Sequence, residues 1–248
     1  MAEFLYRRNV VLETLRAGRR DLRRLLLSTD SDRNALKEVV AEAERRHVRI
    51  ETRTLKELNI ISHGDNHQGA VLEVGPYPYA EFDEPFDLAR AADEPPLLLL
   101  LDQVQDPANV GRLLRTADAC GVHGVYLPDR GSGEITPAVV TASMGASEHM
   151  RVVRVTNMAQ TIEMLKRSDI WIAGLDLGPG AQEFGKVDLN RPLGIVVGNE
   201  GSGIRRLVRD KCDLLIRLPM RGRVQSLNAA IAGSIVLYAA WQARGFGD

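Results

Sequence analysis

"IVVGNEGSGI", residues 195–204, is an apolar run that breaks into a loop of three glycines and one acid. Read as a strand feeding a glycine loop, it makes the chain an α/β protein with its site at a strand end. The loop is not a phosphate cradle. It lacks the Lys-Ser/Thr of a P-loop, and its glycines fall as G-x-x-G-x-G rather than G-x-G-x-x-G. Glu200 stands where a phosphate would sit, and an acid there repels an anion. A ligand carrying positive charge, or a hydroxyl to be activated, fits the loop better.

Working outward, strand candidates Leu97–Leu101, Gly124–Leu127, Arg151–Val155, Ile170–Leu175, Leu193–Val197 and Leu214–Leu218 alternate with helical stretches near 109–120, 137–147, 158–168, 203–210 and 226–243. Strands apolar throughout and interleaved with helices predict a parallel sheet covered on both faces. Its ligands belong beyond the carboxyl ends of the strands. Ahead of this domain, residues 1–78 alternate short helices and strands as a small α/β sandwich. Asp32 is expected to cap a helix running to His47, and Thr54 to cap another. Between them, 79–95 falls in a stretch with five prolines and six acids from Pro76 to Pro96 and no clear period. It reads as a linker. The expected domains are therefore 1–78, a linker at 79–95, and 96–248.

The formal charge of −1 hides an uneven distribution. Residues 1–80 carry 14 basic and 12 acidic side chains, 81–96 carry one and six, and 97–248 carry 17 and 15. Seven arginines crowd between Arg7 and Arg24 against Glu13 and Asp21. That is a basic patch of the kind phosphate backbones attract, or else a solvated helix face. The longest strongly apolar run, Leu97–Leu101, is too short to cross a bilayer, and no secretory signal opens the chain. Cys120 and Cys212 read as reduced thiols of a cytoplasmic protein rather than a disulfide or zinc site. His63 and His67 have metal-like spacing but no accompanying carboxylate or cysteine. No metal is expected; both read as surface or loop histidines, with a nucleic-acid contact at His67-Gln68-Gly69 as the alternative.

Two further stretches join the glycine loop. In "DPANVGRLLRTADA" (106–119), Asn109 can cap a helix whose buried stripe is Val110, Leu113, Leu114 and Ala117. At 100° per residue Arg115 points away from that stripe, toward solvent or an anionic ligand. In "PMRGRVQSLNAA" (219–230), Ser226 can cap a long, alanine-rich helix, with Asn228 in its first turn. Leu227, Ile231, Ile235, Tyr238 and Trp241 trace one face of that helix.

Together the three stretches resemble the motifs of the SpoU (TrmH-type) branch of SPOUT RNA methyltransferases. The first supplies Asn109, Gly111, Arg115 and Ala117; the second Gly198, Glu200, Gly201 and Gly203; the third Pro219, Met220, Gly222, Ser226, Leu227 and Asn228. Ala229-Ala230 departs from the Val-Ser common in relatives. The N-terminal piece is similar to the family's L30e-like RNA substrate-binding domain. The resemblance implies a trefoil knot in the C-terminal domain, a homodimer, and S-adenosylmethionine held near Gly198, Leu218 and Leu227, with Leu175, Met220 and Gly222 beside them. It implies transfer of a methyl group to a ribose 2′-hydroxyl, with rRNA, and a guanosine of 23S rRNA in particular, favoured over tRNA. Asn109, Arg115, Glu200, Ser226 and Asn228 would be the catalytic residues, Arg115 acting on the partner subunit's cofactor. A Rossmann dehydrogenase is disfavoured because no G-x-G-x-x-G follows the first strand. A non-catalytic RNA-binding relative of the same fold is the other alternative. A setting in an organelle of bacterial origin, after loss of a transit peptide, is also open.

Overall fold

The computed structural model describes residues 2–32, 34–131 and 133–247, which gather into two compact units. The first contains β1 (Glu3–Tyr6), α1 (Arg8–Ala17), β2 (Leu22–Ser28), α2 (Lys37–Arg45), β3 (Arg49–Arg53), α3 (Leu55–Ile61) and β4 (Ala70–Val74). Its sheet runs β1-β4-β2-β3, antiparallel except where β2 lies beside β3. Thr54 caps α3 as expected: its hydroxyl accepts the Glu57 N–H while the Glu57 carboxylate accepts the Thr54 N–H, a reciprocal capping box. Asp32 does not cap α2. Its carboxylate accepts the Asn34 N–H at 2.9 Å, a local turn, and the helix begins only at Lys37.

The stretch 79–95 is more than a linker, because Glu84–Ala92 forms α4. Phe82, Pro85, Phe86 and Ala89 recur at the i, i+3, i+4, i+7 spacing of an amphipathic helix, which the acids between them obscure. Pro85 sits in the first turn, where its missing N–H costs nothing. The Phe82 ring meets Tyr126 edge-on at 5.4 Å, and the Tyr126 hydroxyl donates to the Phe82 carbonyl at 3.0 Å. This helix therefore belongs to the second unit.

That unit continues with β5 (Leu97–Asp102), α5 (Pro107–Ala119) and β6 (Gly124–Pro128). The chain then rejoins the first unit for Ile135–His149, which holds α6 (Pro137–Ala142) and a 3-10 turn at Ala146–Glu148. The expected helix at 137–147 thus forms in part, but not as a member of a continuous 96–248 domain. A buried ion pair holds it. Arg20 donates from Nε to Glu148 Oε2 at 2.8 Å and from Nη2 to Oε1 at 3.1 Å, and from Nη1 to Glu3 at 2.6 Å. Burial opposes the Arg20 charge, and the Glu148 carboxylate overcomes it, holding the guanidinium above its ordinary range. The buried Tyr77 hydroxyl donates to the Ser147 carbonyl at 2.8 Å.

The second unit is completed by β7 (Val152–Val155), α7 (Met158–Arg167), β8 (Trp171–Leu175), β9 (Gln182–Glu183), β10 (Leu193–Gly198), α8 (Arg206–Arg209), β11 (Leu214–Arg217) and α9 (Ala229–Ala243). The sheet order is β7-β6-β5-β10-β8-β11-β9, and every pairing is parallel. All six expected strands are present. The central pair is buried along its length, Leu97–Leu101 against Leu193–Val197. β5 is flanked by its sequence neighbour β6 on one side and by the distant β10 on the other. That reversal of order opens a crevice at the carboxyl ends.

The arginines of Arg7–Arg24 do not form an open basic face. Arg16 pairs with Glu13 at 2.8 Å and Glu38 at 3.2 Å, and Arg23 with Asp21 at 3.0 Å. Arg20 is consumed by Glu148 and Glu3, and Arg24 by Glu73 and Glu51. Arg8 and Arg19 donate to main-chain carbonyls of Ala35 and Pro78. Apart from Glu13 and Asp21, the neutralising acids Glu3, Glu38, Glu51, Glu73 and Glu148 come from elsewhere in the chain, where local charge counting cannot find them. His67 is likewise structural. It is buried, its Nδ1 accepts the Gly69 N–H at 3.0 Å, and burial lowers its pKa. Gln68 accepts the Arg8 N–H at the start of α1.

Candidate active site

The glycine loop is held from inside. At Gly198 a Cβ would fall 2.3 Å from the Gly203 carbonyl carbon, so no side chain fits there. Asn199 and Gly203 exchange main-chain hydrogen bonds at 3.0 and 2.9 Å. The Asn199 Oδ1 accepts the N–H groups of Gly201 at 2.9 Å and Ser202 at 3.3 Å, while its amide donates to the Gln103 carbonyl at 3.1 Å. Gly203 has φ of 68°, which glycine adopts without strain. A second tie comes from Asp102, fully buried at the end of β5. It accepts the Arg205 N–H at 2.8 Å and the Arg205 guanidinium at 2.8 and 2.6 Å. Asn199, Asp102 and Arg205 were not singled out from the sequence. Two signals were available: an Asn two residues before a glycine, and a charge closing an otherwise apolar strand.

The three motif stretches meet at Glu200. Its Oε2 accepts the Asn109 amide at 3.1 Å and its Oε1 accepts the Asn228 amide at 2.9 Å. Asn228 also donates to Asn109 Oδ1 at 3.1 Å, and Arg112 reaches the same oxygen at 3.2 Å. Residues separated by 91, 28 and 119 positions thus close one hydrogen-bonded triangle. The caps differ from expectation. Asp106 caps α5 by accepting the Ala108 N–H, which frees Asn109, the third residue of the helix, for the triangle. Asn228, not Ser226, caps α9, its Oδ1 accepting from Ala230 at 2.9 Å and Ile231 at 3.2 Å. One asparagine side chain both starts the helix and ties the loops.

Beside the triangle lies a cavity of about 420 Å³. It opens at the carboxyl ends of β8, β10 and β11. Leu175, Gly198, Leu218, Met220 and Leu227, all expected near a cofactor, line it, as do Glu200 and Ser226. Gly222, Asn109, Asn228 and Arg115 do not line it. Asp176, Leu177 and Arg209, not expected from the sequence, do. Arg115 is exposed on α5 and has no hydrogen bond or ion pair among the described residues.

Residues 96–238 match the SpoU rRNA Methylase family, and residues 4–80 match the RNA 2′-O ribose methyltransferase substrate-binding family. The chain belongs to the SpoU methylase family. It is 39% identical over 98% of its length, and 96% of the relative's, to YacO of Bacillus subtilis (strain 168), a protein assigned as a TrmH family tRNA/rRNA methyltransferase. A Porphyromonas gingivalis structure assigned to the TrmH family of RNA methyltransferases matches 98% of this chain and 90% of its own, with 27% identity and a TM-score of 0.75. The SpoU methyltransferase AviRb of Streptomyces viridochromogenes, solved with AdoMet, matches 99% of this chain and 91% of its own at a TM-score of 0.81; its 23% identity speaks for the fold. The α/β fold with a parallel sheet is that of SpoU methyltransferases, and the expected trefoil knot is consistent with it.

In this SpoU methylase, α9 is apolar on both sides. Ala230, Gly233, Val236, Leu237 and Ala240 are buried. A Cβ at Gly233 would lie 2.6 Å from Leu113 and 2.9 Å from Val197, so α9 packs tightly on α5 and β10. The face of Ile231, Ile235 and Tyr238 is instead exposed at 50, 38 and 48%. With Arg112, Phe184 and Phe246 it borders an open groove. Neither thiol is set up as a nucleophile: burial pushes Cys120 up to about 11 and Cys212 to about 12. No helix among the described residues is long and apolar enough to cross a membrane.

Proposed function

We propose that this SpoU methyltransferase transfers a methyl group from S-adenosylmethionine to a ribose 2′-hydroxyl of RNA, with a guanosine of 23S rRNA as substrate, working as a cytoplasmic homodimer. The observation that carries this reading is the Asn109–Glu200–Asn228 triangle, which gathers three distant segments at the rim of one cavity. The cavity suits the cofactor. Its volume falls in the range of small-molecule sites, Leu175, Val197, Leu218 and Leu227 give apolar walls, and Glu200 and Asp176 offer negative charge toward a sulfonium. When bound, the cofactor supplies an activated methyl on a good leaving group, so no metal is called for.

The chain's own residues then align the oxygen and manage its proton. We assign Gly198, Leu218, Leu227, Leu175 and Met220 to cofactor binding, with Gly222 on the same loop as Met220. Asn109 and Asn228 hold Glu200 in place, and Ser226 faces the sugar from the cavity wall. Each Glu200 oxygen has one amide donor and keeps acceptor capacity. Glu200 is therefore the acceptor assigned to the hydroxyl proton, because a guanidinium has none to offer. Arg115 donates to the 2′-oxygen and its phosphate, across the dimer. Two features support that arrangement: Arg115 stands free of its own cavity, and the bare face of α9 offers a contact surface. The substrate-binding match at 4–80 supports an RNA substrate.

The deciding assay is transfer of labelled methyl to unmodified rRNA and tRNA, followed by mapping of ribose methylation in a deletion strain. Label in 23S rRNA is expected; label in tRNA alone would reassign the substrate, and none would end the enzymatic reading. Mixing inactive R115A and E200Q variants is expected to restore about a quarter of wild-type activity, since random exchange leaves one intact composite site in half the dimers. Mixtures as dead as either parent would place Arg115 in its own subunit's site.

A further inference from the structure

The segment 205–223, from the glycine loop to the third motif, carries seven basic side chains against Asp210 and Asp213, in a chain of formal charge −1. Most of these cations are spoken for. Arg205 is bound to Asp102, Lys211 to Glu163, and Arg209 and Arg217 stand 4.0 and 3.8 Å from Asp176 and Glu183. Arg206 is held only loosely, 3.7 Å from Asp210. Arg221 and Arg223 remain. Both are exposed, and neither has a hydrogen bond or ion pair among the described residues.

Their position gives this freedom a use. They flank Gly222 on the loop that contributes Met220, Ser226 and Leu227 to the cavity wall. A Cβ at Gly222 would meet nothing within 4 Å, so the loop crest is open. A cationic sulfonium gains nothing from further arginines; the two that line the cavity, Arg209 and Arg217, stand beside Asp176 and Glu183. An incoming nucleic-acid strand gains a great deal, because each phosphate neutralised releases counterions. Guanidinium forks suit phosphate oxygens better than any other side chain does.

We infer that Arg221 and Arg223 form a two-arginine phosphate clamp on the cavity rim, gripping the single-stranded RNA backbone beside the nucleotide to be methylated. The inference rests on the RNA-methyltransferase reading of the same cavity and adds the side chains that hold the substrate. The grip is sequence-independent; it sets position and salt dependence rather than base choice.

The test compares wild type with R221Q/R223Q, using a 23S rRNA transcript and potassium chloride from 50 to 300 mM. The slope of log affinity against log salt is expected to fall by about 1.4, two phosphates at about 0.7 each for single strands. Affinity at 100 mM salt should drop about tenfold or more and KM for RNA should rise with it, while AdoMet affinity by calorimetry and the thermal midpoint stay at wild type. R221K/R223K should recover most of the slope. R16Q/R23Q, which removes two arginines already paired with acids, should leave it unchanged. An unaltered slope in R221Q/R223Q, or an equal fall in R16Q/R23Q, overturns the clamp. Because the readout is binding, it separates the two readings. A wild type that binds RNA but transfers no methyl sinks the reaction and leaves the clamp to be judged by its slope.

Discussion

Two stretches of this protein are rich in arginine, and they do opposite things. Arg7–Arg24 looks like a nucleic-acid patch in one dimension, yet in three all of its arginines but Arg7 are spent on Glu13, Asp21, Glu38, Glu73, Glu148 and main-chain carbonyls. Residues 205–223 look like an ordinary charged loop, yet Arg221 and Arg223 there have no ion pair among the described residues, on the loop that lines a cavity through Met220 and Ser226. A cluster of like charges is therefore not a binding surface until its counter-charges have been located. A buried, paired arginine serves stability and an exposed, unpaired one serves a ligand.

The largest way to break this contrast is at Arg20. R20M leaves Glu148 buried without its partner, and chemical denaturation should show a loss of about 3–5 kcal/mol. A loss under 1 kcal/mol would mean that the pair does not hold 135–149 in the first unit. At Arg115 the effect should be catalytic instead. R115A should cut turnover by about a hundredfold or more, near 2.7 kcal/mol of transition-state stabilisation, while unfolding stays within about 0.5 kcal/mol of wild type. Equal activity would remove Arg115 from the mechanism. D102A lies between the two extremes, since it strips acceptors from Arg205 and loosens the glycine loop. About 2 kcal/mol of stability and a measurable share of AdoMet affinity should go together, read by denaturation and calorimetry. Loss of one without the other would separate the loop from the cavity.

The smallest effect is in pH. Burial holds His67 and His123 below their ordinary values. The unfolded chain therefore binds more protons than the folded one just below pH 6.5. Their contribution is complete above that value and is lost as pH falls toward the folded values. The urea midpoint should decline between pH 7 and 5.5. If replacing His67 and His123 by glutamine leaves that decline as steep, the histidines are not its source.

Much of the site was legible because it sits where strand ends must put it. Gly198, Glu200, Leu218 and Leu227 follow apolar strands closely, and parallel sheets gather such residues. The caps were less legible. Asn109 and Asn228 are both good helix starters, but only Asn228 caps, because Asp106 already supplies the acceptor for α5. Helix α4 was hidden for a different reason: its buried positions, Pro85 and Ala89, lie among Glu84, Asp87 and Arg90, so composition masked the period.

What the sequence determined by itself was the periodic and the local: six strands apolar enough to be covered on both faces, the turns that end them, and three short motifs whose side chains suit one chemistry. What only the tertiary structure decided was partnership. Whether an arginine is free, which asparagine caps, and which unit keeps residues 135–149 all depend on groups up to 128 positions away, as Glu148 is from Arg20. Charge pairing acts through space, and the chain's order says little about which distant carboxylate arrives.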